Sequence, residues 1–231
     1  MTANRKNPVS NDIHGVIFDM DGVLIDSHPA HRRAWQEFLQ RLGKEVTATE
    51  LDFILDGRKR CEILRHFFGE MSDVELAEFG RIKDEIFQQI SLEVQPIPGV
   101  LDFIEDLKQH FVKLAVATSA SHSRTHSTLQ RLKLQHEFAT VVTGDDVADG
   151  KPNPEVYNLV RSRLGIEAQQ CVVVEDAASA IESARHEGFL CLAVGHNGIA
   201  EKLRHAGANW VIDNFLGLSL GSLQTMLLQS A

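Results

Sequence analysis

The strongest constraint on the fold is a set of short apolar runs that are continuous rather than alternating. They are His14–Asp19 (HGVIFD), Lys113–Thr118 (KLAVAT), Thr140–Thr143 (TVVT), Cys171–Glu175 (CVVVE) and Phe189–Val194 (FLCLAV), with Trp210–Asp213 (WVID) as a sixth. A strand with one wet face alternates apolar and polar residues. A Val-rich run without alternation is buried on both faces, as in a parallel sheet. Helical spacing, with apolar residues three and four apart, fills the later intervals at Val100–His110, Ser123–Leu132, Pro154–Leu164 and Ala178–Glu187. Strand and helix in alternation predict an α/β fold, a doubly wound, Rossmann-like parallel sheet.

One interval breaks the pattern. Between the first and second runs, residues 29–95 hold no strand-like run but do hold helical stretches at His31–Leu42, Lys59–Phe68 and Ser72–Ile90. A crossover between parallel strands needs only about a dozen residues. The excess reads as an inserted all-helical domain over 29–95, with the core formed by 1–28 and 96–231. Pro96, Pro98 and Gly99 mark the return to the core. Residues 1–12 are polar, read as a disordered lead-in, and lack the apolar stretch of a signal peptide.

Composition removes several function classes. The net charge of −9 disfavours nucleic acid, whose backbone needs a basic surface. No apolar run approaches the roughly 20 residues that cross a membrane. Cys61, Cys171 and Cys191 are too few and too scattered for a disulfide framework or a zinc site. A cytoplasmic protein, monomeric or weakly dimeric, is the expectation. His122 and His126 share a polar stretch, but at a helix start such residues cap and solvate.

In open parallel sheets ligands sit beyond the carboxyl ends of the strands. The first run ends in Asp19-Met20-Asp21-Gly22, the second in Thr118-Ser119 and the fourth in Glu175-Asp176, and Gly150-Lys151-Pro152 follows the third. Several carboxylates, two hydroxyls and a lysine therefore converge on one edge. One carboxylate, Asp19, can attack phosphorus. A second, Asp21, can protonate the leaving oxygen and then deprotonate a water. A divalent cation, Mg2+ by its taste for carboxylate oxygen, offsets the repulsion between nucleophile and phosphate. Asp19 with Glu175 and Asp176 would hold it. Lys151 and the Thr118 hydroxyl would take charge on the transferring group. Bound to a metal, Asp19 stays ionised, and the nearby negative charge favours a protonated Asp21.

These residues, in this order and spacing, resemble the haloacid dehalogenase superfamily, in the branch with a helical cap inserted after the first strand. The chain is most similar to the β-phosphoglucomutase-like phosphatases. Phe18-Asp19-Met20-Asp21-Gly22-Val23 resembles the first motif of that family, Thr118 the second, Lys151 in Lys-Pro-Asn-Pro the third, and Glu175-Asp176 the fourth. The resemblance implies a hydrolase for a small phosphorylated substrate. It also implies that the Asp21 backbone carbonyl is a metal ligand. Either acid of the fourth motif could touch the metal.

In the insert, His31 and Trp35 lie where relatives carry a His and a Trp. Arg60, following Gly57, resembles a loop arginine that meets a substrate phosphate, and Lys83 falls near a cap lysine. With Ser119 these are the expected substrate contacts. The bland alternatives are cap core for Trp35 and a solvated face for His31, Arg60 and Lys83. Two departures matter. Ala120 and Ser121 stand where mutases of this group place a serine and a lysine, which favours hydrolysis over a phosphosugar mutase. Ala177 and Ala180 replace residues of the usual fourth motif and leave both acids in place. A third reading is a catalytically idle binding protein, since fold does not fix function.

Overall fold

The computed structural model describes residues 12–195 and 198–229, so the polar lead-in, up to residue 11, lies outside the described residues. Six parallel strands form one sheet: β1 (Gly15–Phe18), β2 (Lys113–Ala117), β3 (Thr140–Val142), β4 (Cys171–Glu175), β5 (Leu190–Val194) and β6 (Trp210–Ile212), in the order β3-β2-β1-β4-β5-β6. Every strand lies in a run picked out by its lack of alternation. Burial explains why. Val16 and Phe18 of β1 enter one hydrophobic layer with Phe103 and Leu107, while Ile17 enters the other with Tyr157 and Ile181. Both faces are covered, so no position on the strand needs a polar side chain.

The first layer is closed by α5 (Val100–Gln109) and α10 (Leu220–Gln229), with α6 (His122–Arg131) contributing Leu129. The second is closed by α7 (Glu155–Leu164), α8 (Ala178–His186) and α9 (Ala200–His205). Among the described residues no helix is long and apolar enough to cross a membrane.

Four helices fill the interval between β1 and α5: α1 (His28–Arg41), α2 (Ala48–Ile54), α3 (Arg60–Phe68) and α4 (Asp73–Ile90). They bury a cluster of their own around Trp35, Phe38, Leu39, Leu64 and Phe87. Trp35 is 2% exposed and meets the Phe38 ring edge-on at 5.7 Å, so it belongs to the core of the insert. Helix α1 begins three residues before its expected start, because Ser27 is its N-cap and Pro29 fits the first turn, where no N–H donor is required. Helix α2 was not among the expected elements. Thr47 and Glu50 form a reciprocal capping box at its start, a signal present in the sequence as Thr-Ala-Thr-Glu.

Candidate active site

The site forms where the chain order reverses, between β1 and β4, with β2 on the far side of β1. Asp19 is the first residue past β1, and its N–H still donates to the Val174 carbonyl at 2.9 Å. Thr118 follows β2 in the same way, its N–H on the Val142 carbonyl at 3.0 Å. The structure brings Asp19, Thr118, Lys151, Glu175 and Asp176 together, all buried.

Lys151 is 1% exposed and uses all three ammonium protons, on Asp19 Oδ1 at 2.6 Å, on the Ala117 carbonyl at 3.1 Å and on Glu175 Oε1. Glu175 has no spare acceptor. Oε1 also accepts from the Tyr157 hydroxyl at 2.7 Å, and Oε2 accepts from the N–H groups of Asp176 and Ala177 at 3.0 and 3.3 Å. Asp176 is the opposite case. Its Oδ2 is buried without a hydrogen-bond partner among the described residues, with His28 Nε2 3.1 Å away. Carboxylate oxygens of Asp19, Glu175 and Asp176 lie within 4.8 Å of one another. A buried acceptor left open beside two more carboxylates fits a small hard cation. Burial raises the Asp19 carboxyl against the pull of Lys151, with Glu175, Asp21 and Asp176 adding to the rise. Burial likewise raises Asp176, opposed by His28. The His28 imidazole is lifted to about 9, its own burial outweighed by Asp176.

The chain leaves β1 through a tight turn in which the Gly22 N–H bonds the Ile25 carbonyl at 2.8 Å. Gly22 has φ +74°, and a Cβ there would lie 1.7 Å from Asp176 Oδ2. Gly22→Ala combines left-handed backbone strain with that overlap. The expected result is a lower unfolding midpoint and loss of metal binding. A variant that melts like the wild type and binds metal normally would refute the account.

Asp21 does not face the other acids. Its Oδ1 accepts from Ser27 Oγ at 2.6 Å and lies 3.2 Å from His31 Nε2. Arg124 grips both oxygens, at 2.9 and 2.6 Å. The expected protonated Asp21 is thereby reversed. Burial alone would raise its carboxyl, but the Arg124 guanidinium and His31 outweigh burial and hold it well below the usual carboxylate range. Arg124 was absent from the residues expected at the site. It lies in a polar stretch read as helix cap and solvated surface, yet its guanidinium sits 5.3 Å from the Phe87 ring centroid, against the insert.

Between insert and core lies a cleft of about 390 Å³. Asp19 and Thr118 line it from the core, and His31, Trp35, Arg60 and Lys83 from the insert. His31 stacks on Phe87 at 4.2 Å, and its Nδ1 is 3.3 Å from Lys83 Nζ. Arg60 is paired with Asp84 and reaches the Gly80 carbonyl at 3.4 Å. The Ser119 hydroxyl donates to the Gly57 carbonyl at 2.5 Å, and Lys59 donates to the carbonyls of Val147 and Ala148 at 2.8 and 3.1 Å. The loop before α3 is therefore pinned to the core. The rings of His122 and His126 lie 4.1 Å apart, tilted by 40°, but among the described residues only the acidic group gathers three metal-ligating side chains.

Lys83 is 3% exposed, so the solvated-face alternative fails for it. Burial, with Arg124 adding to it, pushes its amine down to about 7. In the unfolded chain lysine titrates at about 10.4. Between those values the unfolded chain binds the extra proton, so stability rises with pH; below about 7 the full cost of the buried charge is present. Lys83→Met is expected to flatten that rise and to raise the unfolding midpoint most at pH 7 and below. A pH–stability curve parallel to that of the wild type would contradict it.

The profile of the haloacid dehalogenase-like hydrolases matches residues 16–194. The chain belongs to that family. It is 36% identical over 181 residues to a phosphorylated carbohydrates phosphatase of Thermotoga maritima, covering 77% of this chain and 82% of the relative. It is 32% identical over 177 residues to a fructose-1-phosphate phosphatase of Escherichia coli, covering 76% and 93%. Among solved structures it is similar to CbbY of Rhodobacter sphaeroides in complex with phosphate, with a TM-score of 0.77, 27% identity and coverage of 89% and 96%. In this family member the fold brings Asp19 and Glu175 together on the single ammonium of Lys151.

Proposed function

We propose that this hydrolase is a metal-dependent phosphatase for a small phosphorylated metabolite, a sugar phosphate or similar monoester, and that the phosphoryl group passes through Asp19. The observation that carries the reading is the pairing of a buried carboxylate, which lines the cleft between insert and core, with an ammonium at 2.6 Å, beside an orphaned acid oxygen. The relatives named for phosphorylated carbohydrates and fructose 1-phosphate support the substrate class.

Asp19 Oδ attacks phosphorus and the ester oxygen departs. Once substrate draws its carboxyl from the Arg124 fork, Asp21 takes up a proton from solvent and passes it to that oxygen. A water then attacks the aspartyl-phosphate, Asp21 takes the proton of that water, and phosphate leaves. Lys151 neutralises charge on the transferring group, and the Thr118 hydroxyl holds one of its oxygens. Asp19, Asp176 and the Asp21 carbonyl would hold the ion, Mg2+ on carboxylate chemistry, and Glu175, its acceptors all used, would orient Lys151 and the turn at Asp176. When bound, the ion offsets charge between nucleophile and phosphate. The insert acts as a cap that excludes bulk water and reads the alcohol part of the substrate.

The test is inorganic phosphate release from a panel of sugar and polyol phosphates, with divalent metal and with chelator. Release that requires metal is expected. No release from any member, or release that chelation leaves untouched, rejects the reading. Glucose 6-phosphate formed from β-glucose 1-phosphate without free phosphate would indicate a mutase instead.

A further inference from the structure

Arg124 presents both arms of its guanidinium to Asp21, at 2.9 Å on Oδ1 and 2.6 Å on Oδ2. It comes from the first turn of α6, in the core. There Ser121 Oγ accepts the Arg124 N–H at 3.4 Å, and Asp145 Oδ2 accepts the His122 N–H at 2.7 Å. The turn is tethered, so a redirected fork is a matter of side-chain rotation. The guanidinium lines the cleft, with His31 Nε2 3.3 Å from Nη1 and the Phe87 ring centroid at 5.3 Å. Asp21 is not free to act on a leaving oxygen while both of its own oxygens are held. Arg124 in turn needs a replacement before it lets go. Its side chain is 13% exposed, and a buried guanidinium without an acid is an uncompensated charge. A hydroxyl is a neutral acceptor and competes poorly with a carboxylate for that place. A carboxylate or a phosphate offers two oxygens in the spacing of the fork. The insert lines the same cleft with the matching sign, Arg58, Lys59, Arg60 and Lys83 against one acid, Asp84, in a chain of net charge −9.

We propose that Arg124 is a specificity-determining residue, which exchanges Asp21 for an oxyanion carried on the alcohol part of the substrate. The inference rests on the phosphatase reading given above and narrows its substrate to phosphomonoesters with a second acidic group, a carboxylate or another phosphate. Binding of that group to the fork frees Asp21, so the acid–base help is delivered to esters that bring their own oxyanion. An ester ending in a hydroxyl leaves the fork closed on Asp21. The discrimination therefore falls on kcat, because the freed Asp21 acts in the transition state rather than in holding the ground state.

The test is phosphate release from three matched series of straight-chain phosphate monoesters, about three to six carbons long to suit a cleft of this size, ending in a hydroxyl, a carboxylate or a second phosphate. In the wild type, at one chain length or more, the carboxylate or bisphosphate ester should show a kcat about tenfold or more above that of its hydroxyl counterpart, the scale of one charged hydrogen-bonded pair. Which of the two acid series is preferred names the oxyanion. In Arg124→Met that advantage should shrink to less than about threefold, because the fork that reads the second acid is gone. A residue with a merely structural role would move all three series by one factor, and that result overturns the proposal. So does an advantage that survives in the variant. Equal wild-type kcat for acid-ended and hydroxyl-ended esters at every length overturns it too, a measurement that stands even if the variant folds poorly. Release of no phosphate from any of the three series would bring down the phosphatase reading itself, whereas release without discrimination leaves that reading intact.

Discussion

Asp19→Asn is expected to lower turnover of phosphate esters by roughly 10⁴-fold or more while leaving the chain folded. An amide has the shape of the carboxylate but no nucleophilic oxygen for phosphorus. Lys151 would keep its contacts to Glu175 and the Ala117 carbonyl, and the amide oxygen can still accept the third ammonium proton. The packing around residue 19, already 7% exposed, has no reason to change. The measurement is phosphate release together with circular dichroism. A companion readout isolates the chemistry: brief incubation with labelled substrate, then acid quench, should leave hydroxylamine-sensitive phosphate on the wild type and none on the variant. Substantial activity in Asp19→Asn, or labelled phosphate on another residue, would end the covalent mechanism.

Much of this site was legible in the sequence because its residues are tied to strand ends, and strand ends are readable. A run buried on both faces stops where the first polar residue leaves the sheet. That rule puts Asp19, Thr118 and Asp176 on the ligand edge without coordinates, and the structure has β1, β2 and β4 ending one residue before each of them. The same reading placed helices α5 to α8, whose apolar faces close the two layers. It passed over α2 and α9, which are only 7 and 6 residues long, too short for spacing to speak. It also passed over α10, although Leu220, Leu223, Met226 and Leu227 carry helical spacing.

What the sequence concealed is the set of side chains that act across the fold. Arg124 reaches Asp21 over 103 positions of chain, and the polar stretch around it looks like surface. Without that contact, neighbouring acids seemed to leave Asp21 protonated; with it, the sign reverses. The roles of Glu175 and Asp176 were equally hidden. The two are adjacent in sequence, yet one spends every acceptor on Lys151, Tyr157 and two backbone N–H groups, while the other keeps an oxygen open. Alternation along an extended chain sends neighbouring side chains to opposite sides, but which side holds the ion depends on where Lys151 and Tyr157 arrive from.

Lys151→Met should be the most destabilising single change at the site, and metal should partly reverse it. The ammonium is the cation between Asp19 and Glu175, buried with them. Methionine keeps most of the volume and removes all three donors. Two carboxylates then face each other and Asp176 within 4.8 Å without the ammonium that joined Asp19 to Glu175, although the His28 imidazole stays beside Asp176. Removing one partner of a buried ion pair costs about 3–5 kcal/mol, because the remaining charge is left uncompensated. In a chain of this size that corresponds to a drop on the order of 10 °C in the unfolding midpoint. An added divalent cation binds only the folded cluster and restores positive charge, so it stabilises by mass action. The midpoint gain on adding metal should therefore be larger in Lys151→Met than in the wild type, and chelator should erase it. Activity should stay lost in both conditions, since the transferring phosphoryl group no longer has its ammonium. Thermal unfolding of both proteins with metal and with chelator is the check. A variant as stable as the wild type in chelator would mean that Lys151 is not the charge that holds these acids together.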